Sequence, residues 1–187
     1  MNPKSLTSDD ISSLSLNSLI MDTFADKYYL RAVDSYPFDL EEAIESLNYA
    51  LSYDDEHVGA NYLMGKFYAE QLHDYTRAES YYQMAMAGDL RNENVCQDYI
   101  LLLIIMKEYG KAEKLIEYTR GFKGVDLAKI FHHEGLIHEC HHEFKKAIQS
   151  YENALMESYN DEFSTNMNAV IKRVKAKQKL KKKPSSI

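Results

Sequence analysis

The chain has 187 residues, seven glycines, three prolines and a net charge of −7 at neutral pH. That length can bury one continuous core, and so little Gly and Pro excludes the turn-dense all-β architectures, which need frequent chain reversals. Leu, Ala, Glu, Lys and Tyr abound instead, and the predicted fold class is all-α. Cys96 and Cys140 are too few for a disulfide framework and lack CxxC spacing, so a reducing compartment is expected. The longest apolar run, Ile100 to Met106, is far below the ~20 residues that cross a bilayer, and the expectation is a cytoplasmic protein.

Residues 1–21 are Ser-rich, with a hint of amphipathicity from Ile11, Leu14, Leu16 and Leu19, and are expected to be flexible or loosely docked. Residues 22–158 contain four copies of one pattern: FDLEEAIESLNYAL (38–51), HDYTRAESYYQMAM (73–86), KEYGKAEKLIEYTR (107–120) and HEFKKAIQSYENAL (142–155). The central alanines, Ala43, Ala78, Ala112 and Ala147, are spaced by 35, 34 and 35 residues. Large side chains stand three before (Leu40, Tyr75, Tyr109, Phe144) and four after (Leu47, Tyr82, Ile116, Tyr151), and small ones seven after (Ala50, Ala85, Thr119, Ala154). Those offsets lie along one helical stripe, so each copy predicts one helix whose small residues admit a close neighbour.

The neighbour is expected upstream. Gly65 and Gly135, 13 and 12 residues before their alanines, can supply the close contact, as can Ala32 in the first unit. Bulky Ile100 in the third unit requires a different packing. Helices are therefore predicted in pairs at about 23–36 and 39–53, 56–72 and 74–87, 92–107 and 109–120, and 126–141 and 143–158, with Asp22, Asp54 or Asp55, Asp89 and Asp126 as start signals. GFKGVD (121–126) reads as a loop. Phe163, Met167, Val170, Ile171 and Val174 share a stripe, which predicts a capping helix over 159–178, followed by a basic flexible tail, 179–187.

This pattern resembles the tetratricopeptide repeat family across residues 22–158, more strongly in the second helix of each unit than in the first. A Sel1-like repeat, suggested by GKFY and AMAGD, suits the 34–35 spacing less well. The resemblance implies a right-handed helical-repeat solenoid of about four helix-turn-helix units plus the capping helix. It also implies a non-catalytic protein-interaction adaptor or scaffold, whose first helices line a concave groove for a peptide or helix of a partner. Helix geometry and the resemblance together nominate Tyr29, Tyr36, Tyr62, Lys66, Gln97, Asp98, Ile104, His132, Leu136 and Glu139 as groove-facing. Some family members grip a C-terminal carboxylate with several cations from consecutive first helices. Here those helices offer Tyr28, Tyr29, Tyr62, Lys66, Asn94 and Asp98, with one cation, which argues against that mode.

HECHH, residues 138–142, fits the H-E-x-x-H pattern of zinc peptidases and raises the alternative of a zinc-dependent metallohydrolase. Such a site needs both histidines on one helical turn in a cleft, the Glu as general base and a third ligand from elsewhere. The repeat alignment puts His142 in the turn before Glu143 and Phe144, so the helix is expected to end between the two histidines. Without GxGxxG, GxxxxGK[ST] or GxSxG either, the expectation is no enzyme and no cofactor. His138, Cys140, His141 and His142 could still gather a transition metal adventitiously.

Eight basic residues and no acid lie between Lys172 and Lys183, leaving residues 1–171 at −15. An acidic body argues against nucleic acid and membrane as partners. Contact of the basic tail with phosphates or anionic lipid, or with the acidic body of a second copy, stays open as an alternative, beside a solvated outer face of the capping helix.

Overall fold

The structure, a computed structural model, describes residues 23–182. Regular structure among them is helical. The chain divides at residue 90 into two compact units, and the division falls within the expected repeat block, between its second and third hairpins. The first unit holds α1 (23–35), α2 (Leu40–Tyr53), α3 (Val58–Lys66, continued by a π-helical turn, Phe67–Leu72) and α4 (Tyr75–Gly88). The second holds α5 (Glu93–Ile105), α6 (Tyr109–Arg120), α7 (Leu127–Cys140), α8 (Phe144–Glu157) and α9 (Asp161–Lys182). The expected N-terminal segment, 1–21, and residues 183–187 of the expected tail, 179–187, lie outside the described residues, while 179–182 belong to α9, which runs beyond the predicted end at 178.

Side chains that satisfy otherwise unpaired amides start most of these helices. Asp39 accepts from the Glu42 amide at 3.1 Å, Asp74 from Arg77 at 3.1 Å, and Asp126 from Lys129 at 3.2 Å. Two start signals differ from expectation. Asn92 rather than Asp89 caps α5, and His57 rather than Asp54 or Asp55 caps α3, its Nδ1 accepting from the Ala60 amide at 3.0 Å. Asp54 and Asp89 instead close the preceding helices, their amides donating to the Ala50 and Ala85 carbonyls. The chain needs a few residues to reverse, so the acid nearest the old helix serves its end. Because His57 Nδ1 accepts, the Nε2–H is left to donate to Asp26, 3.0 Å away.

Hairpin turns follow one recipe. Lys107 (φ 63°) and His142 (φ 58°) take the left-handed conformation one residue before the next helix's cap. In both turns the following amide reaches back to close the helix end: Glu108 N–H donates to the Leu103 carbonyl, and Glu143 N–H to that of His138, each at 2.8 Å. A side chain with a Cβ is strained there. Lys107→Gly is therefore expected to stabilise the second unit by about 0.5–1 kcal/mol, read as a higher urea midpoint with an unchanged slope.

The π-helical turn explains an irregularity of the sequence. Gly65 lies nine residues before the cap Asp74, whereas Gly135 lies eight before Glu143. One residue must be absorbed between Gly65 and Asp74, and the wider turn at Phe67–Leu72 absorbs it.

The repeat stripe forms the core of each unit. Ala43, Ala78, Ala112 and Ala147 are fully buried, as are Ala50, Ala85, Thr119 and Ala154 seven residues on. Thr119 meets this demand by donating its hydroxyl to the Leu115 carbonyl at 2.8 Å. A Cβ on Gly65 would come within 2.6 Å of the Tyr82 ring, and one on Gly135 within 2.4 Å of the Tyr151 ring. At this level Gly meets Tyr in the second and fourth repeats and Ala32 shares a cluster with Leu47 in the first, whereas in the third Ile100 and Ile116 are both large and both buried. The last repeat is covered as expected. Met167, Ile171 and Val174 of α9 join Phe144, Ile148, Tyr151 and Ala154 of α8 in one cluster.

Candidate interaction site

In the first unit the nominated residues join through one residue that sequence reasoning passed over. Tyr62, Lys66 and Glu70 follow one another at one-turn spacing along α3 and its extension. The Lys66 ammonium stands 5.8 Å from the Tyr62 ring centre and 3.6 Å from the Glu70 carboxylate. The Tyr36 hydroxyl lies 2.5 Å from Glu70 Oε2, and Gln71 donates to that hydroxyl at 3.4 Å. Aromatic, cation and acid thus form a connected, partly exposed strip, pre-arranged by contacts within the unit. Tyr29 has a different setting: its ring lies against Gly59, where a Cβ would come within 2.6 Å, and beside the His57 ring.

In the second unit the six nominated residues separate. Gln97 and Ile104 are buried, contrary to their groove-facing assignment, because α5 is apolar on most of its circumference and is buried on several sides. Gln97 donates to Glu93 at 3.4 Å, and its buried carbonyl oxygen has no hydrogen-bond partner among the described residues. Asp98 is half-buried. His132 is half-buried near Tyr151 and Phe163, and burial lowers its pKa. His133, its neighbour on α7, is buried. Desolvation, helped by the charges of His132 and Lys129, pushes its pKa down to about 3.

Leu136 and Glu139 do come together, in an open cleft of about 780 Å³ between the end of α7, the start of α8 and the last turns of α9. Glu139 is 8 % exposed, yet three groups make four hydrogen bonds to its carboxylate. Arg173 donates to both oxygens at 2.8 and 2.9 Å, Lys177 donates at 2.8 Å, and the Tyr151 hydroxyl donates at 3.0 Å. Burial is the largest influence on this carboxyl and acts to raise its pKa. The hydrogen bonds from Lys177 and Tyr151 and the two cationic charges together outweigh it and hold the pKa below the usual carboxylate range. Burial, and after it the same carboxylate, drives the Tyr151 phenol upward.

This arrangement bears on the HECHH segment. α7 ends at Cys140, His141 closes it and His142 is left-handed, so His138 and His142 do not share a helical turn. His138 Nδ1 lies 2.9 Å from Glu143, and the carboxylate that would serve as base is held by Arg173, Lys177 and Tyr151. Among the described residues no group of three or more His, Cys, Asp or Glu side chains is placed to hold a metal ion.

The basic run is also more engaged than a solvated face. Besides Arg173 and Lys177, Lys175 reaches Glu152 at 3.1 Å, and Lys181 donates to the His142 carbonyl at 3.1 Å while lying 5.6 Å over the Phe144 ring. A signal for the cleft was present, since residues 173, 177 and 181 recur at one-turn spacing on one face of α9. Nothing in the sequence said that this face meets Glu139.

No protein-family model matches the chain, and no curated protein matches it significantly. Solved structures do. PilF of Pseudomonas aeruginosa aligns over 82 % of this chain and 71 % of its own, at 19 % identity and a TM-score of 0.66. MamA aligns over 75 % and 78 %, at 21 % identity and a TM-score of 0.59. A MamA fragment from Desulfovibrio magneticus covers 96 % of this chain and all of its own, at 13 % identity and 0.56. Both are tetratricopeptide-repeat proteins. The fold is a tetratricopeptide-repeat fold. Among the described residues, no helix is long and apolar enough to cross a membrane.

Proposed function

We propose that the protein is a non-catalytic adaptor that binds a peptide or helix of a partner protein on the face of its first helices. The observation that carries this reading is the strip Tyr36–Glu70–Lys66–Tyr62. Its members are half-buried or exposed, and contacts between them hold each in place, so a partner would pay little ordering entropy on docking. Rings supply buried area, and alternating charges select register. The repeat fold supports the same reading, because helical-repeat proteins commonly bind partners on the surfaces their repeats build.

Affinity capture with wild type and with a Tyr62→Ala, Lys66→Glu double variant tests it. Both changes fall on half-buried positions, so the variant is expected to keep its helical circular dichroism and to lose at least one captured partner by tenfold or more. If every partner is recovered in equal amount, the face is wrongly assigned.

A further inference from the structure

Glu139 was expected to present an acid to a partner, but α9 has neutralised it, and what remains open at that end of the second unit is cationic. Three bases, Arg173, Lys177 and Lys181, line the cleft against the single carboxylate of Glu139. Arg173 spends two of its five donors on Glu139, Lys177 one of three on the same group, and Lys181 one of three on the His142 carbonyl. The Arg173 and Lys177 side chains keep 49 % and 46 % exposure, so their remaining donors are accessible to a ligand. Between these cations the floor is apolar: Leu136, Phe144 and Leu180, the last 68 % exposed although it lies amid lysines. A second hollow of about 370 Å³ continues past Phe144 and Lys181 toward Lys145, Lys146 and Glu143, where Lys146 pairs with Glu143 at 3.1 Å and Lys145 adds a further cation.

We propose that this cleft receives a segment of a partner protein in which acidic residues alternate with leucine-like ones, its carboxylates on Arg173, Lys177 and Lys181 and its apolar side chains on Leu136, Phe144 and Leu180. The inference rests on the adaptor reading, and it adds where one partner docks and of what chemistry it is made. Charge complementarity selects acid. The held geometry of Arg173, fixed by its fork on Glu139, suits planar carboxylates. A nucleic-acid backbone would need a continuous cationic track, whereas here the space between the cations is hydrocarbon. The rival occupant is a second copy of this chain, because residues 1–90 carry 16 acids against 5 bases while residues 91–187 carry 13 against 17.

The test is fluorescence anisotropy of the full chain with a labelled peptide of repeated Glu-Leu-Leu-Glu units, compared with repeated Glu-Ser-Ser-Glu and Lys-Leu-Leu-Lys. The first is expected to bind at physiological salt and the other two at least tenfold more weakly. Leu180→Ser and Lys181→Glu, both on exposed side chains, are each expected to weaken the first peptide tenfold or more, and Lys172→Glu, outside the cleft, by less than threefold. The proposal is overturned by equal binding of the serine peptide, by indifference to both cleft changes, or by absence of binding. It is likewise overturned if phosphatidylserine vesicles, but not the peptide, depend on Leu180 and Lys181, or if sedimentation shows a self-associated chain that Lys181→Glu separates. Any of these with capture partners still lost in the Tyr62→Ala, Lys66→Glu variant would sink the cleft and leave the adaptor reading standing.

Discussion

Gly135→Ala is expected to destabilise the second unit by about 1–2 kcal/mol, even though alanine is the better helix former. Replacing an interior helical glycine with alanine ordinarily gains about 1 kcal/mol. Here the new methyl would sit 2.4 Å from the Tyr151 ring, and that ring cannot yield freely, because its hydroxyl is tied to Glu139 and its body is fully buried. Overpacking of this kind costs about 1–3 kcal/mol, and it wins. The parallel site in the first unit allows a cleaner experiment. Gly65→Ala meets Tyr82 at 2.6 Å and should lose a similar amount, and Tyr82→Leu alone should leave a void costing about 2–4 kcal/mol. Together they rebuild the Ala32 and Leu47 pairing of the first repeat. The double variant is expected to be at least about 1 kcal/mol more stable than the sum of its parts, measured by urea unfolding. Additive losses would mean that the two side chains do not share the space assigned to them.

Acid should unfold the second unit through His133. Its folded pKa of about 3 lies below the ordinary value of 6.5, so in the window between them an unfolded chain binds a proton that the folded chain refuses. Stability is intact above pH 6.5 and falls as pH drops toward 3, with a slope of at most about 1.4 kcal/mol per pH unit. His132, lowered by burial, acts in the same direction. Glu139, held below the usual range, adds a loss below its ordinary value of 4.5, where the unfolded carboxyl takes a proton that the folded one refuses. Between pH 7.5 and 4.5 the expected loss from His133 is about 2–3 kcal/mol. His133→Leu should flatten the curve in that window and also remove the buried Nδ1, which has no hydrogen-bond partner among the described residues. If the variant and wild type fall in parallel, His133 is not the titrating group.

The repeat was legible in the sequence because packing writes it there. Wherever two helices touch at Ala43, Ala78, Ala112 and Ala147, only a small side chain fits, and the interval between such contacts is set by helix geometry. Gly65 and Gly135 were readable for the same reason. Surface roles were less legible. Gln97 and Asp98 are adjacent polar residues on one helix, yet the first is buried and the second half-buried, which depends on what each side of α5 meets. Start signals misled at Asp54 and Asp89, which close the preceding helices while His57 and Asn92 cap the next ones. Glu139 shows the deeper obstacle, since its role is decided by cations 34 and 38 residues away, and no local pattern encodes such a pairing.

The wide turn at Phe67–Leu72 lets hairpin length vary while the contact of Gly65 with Tyr82 stays in register. A one-residue deletion there can relax into ordinary helix. The same deletion between Gly135 and Glu143 has no slack to draw on and would rotate the end of α7, carrying Glu139 away from Arg173 and Lys177. Tolerance to length change is thus unequal between repeats that look alike, and the repeat that anchors the terminal helix is the one with none to spare.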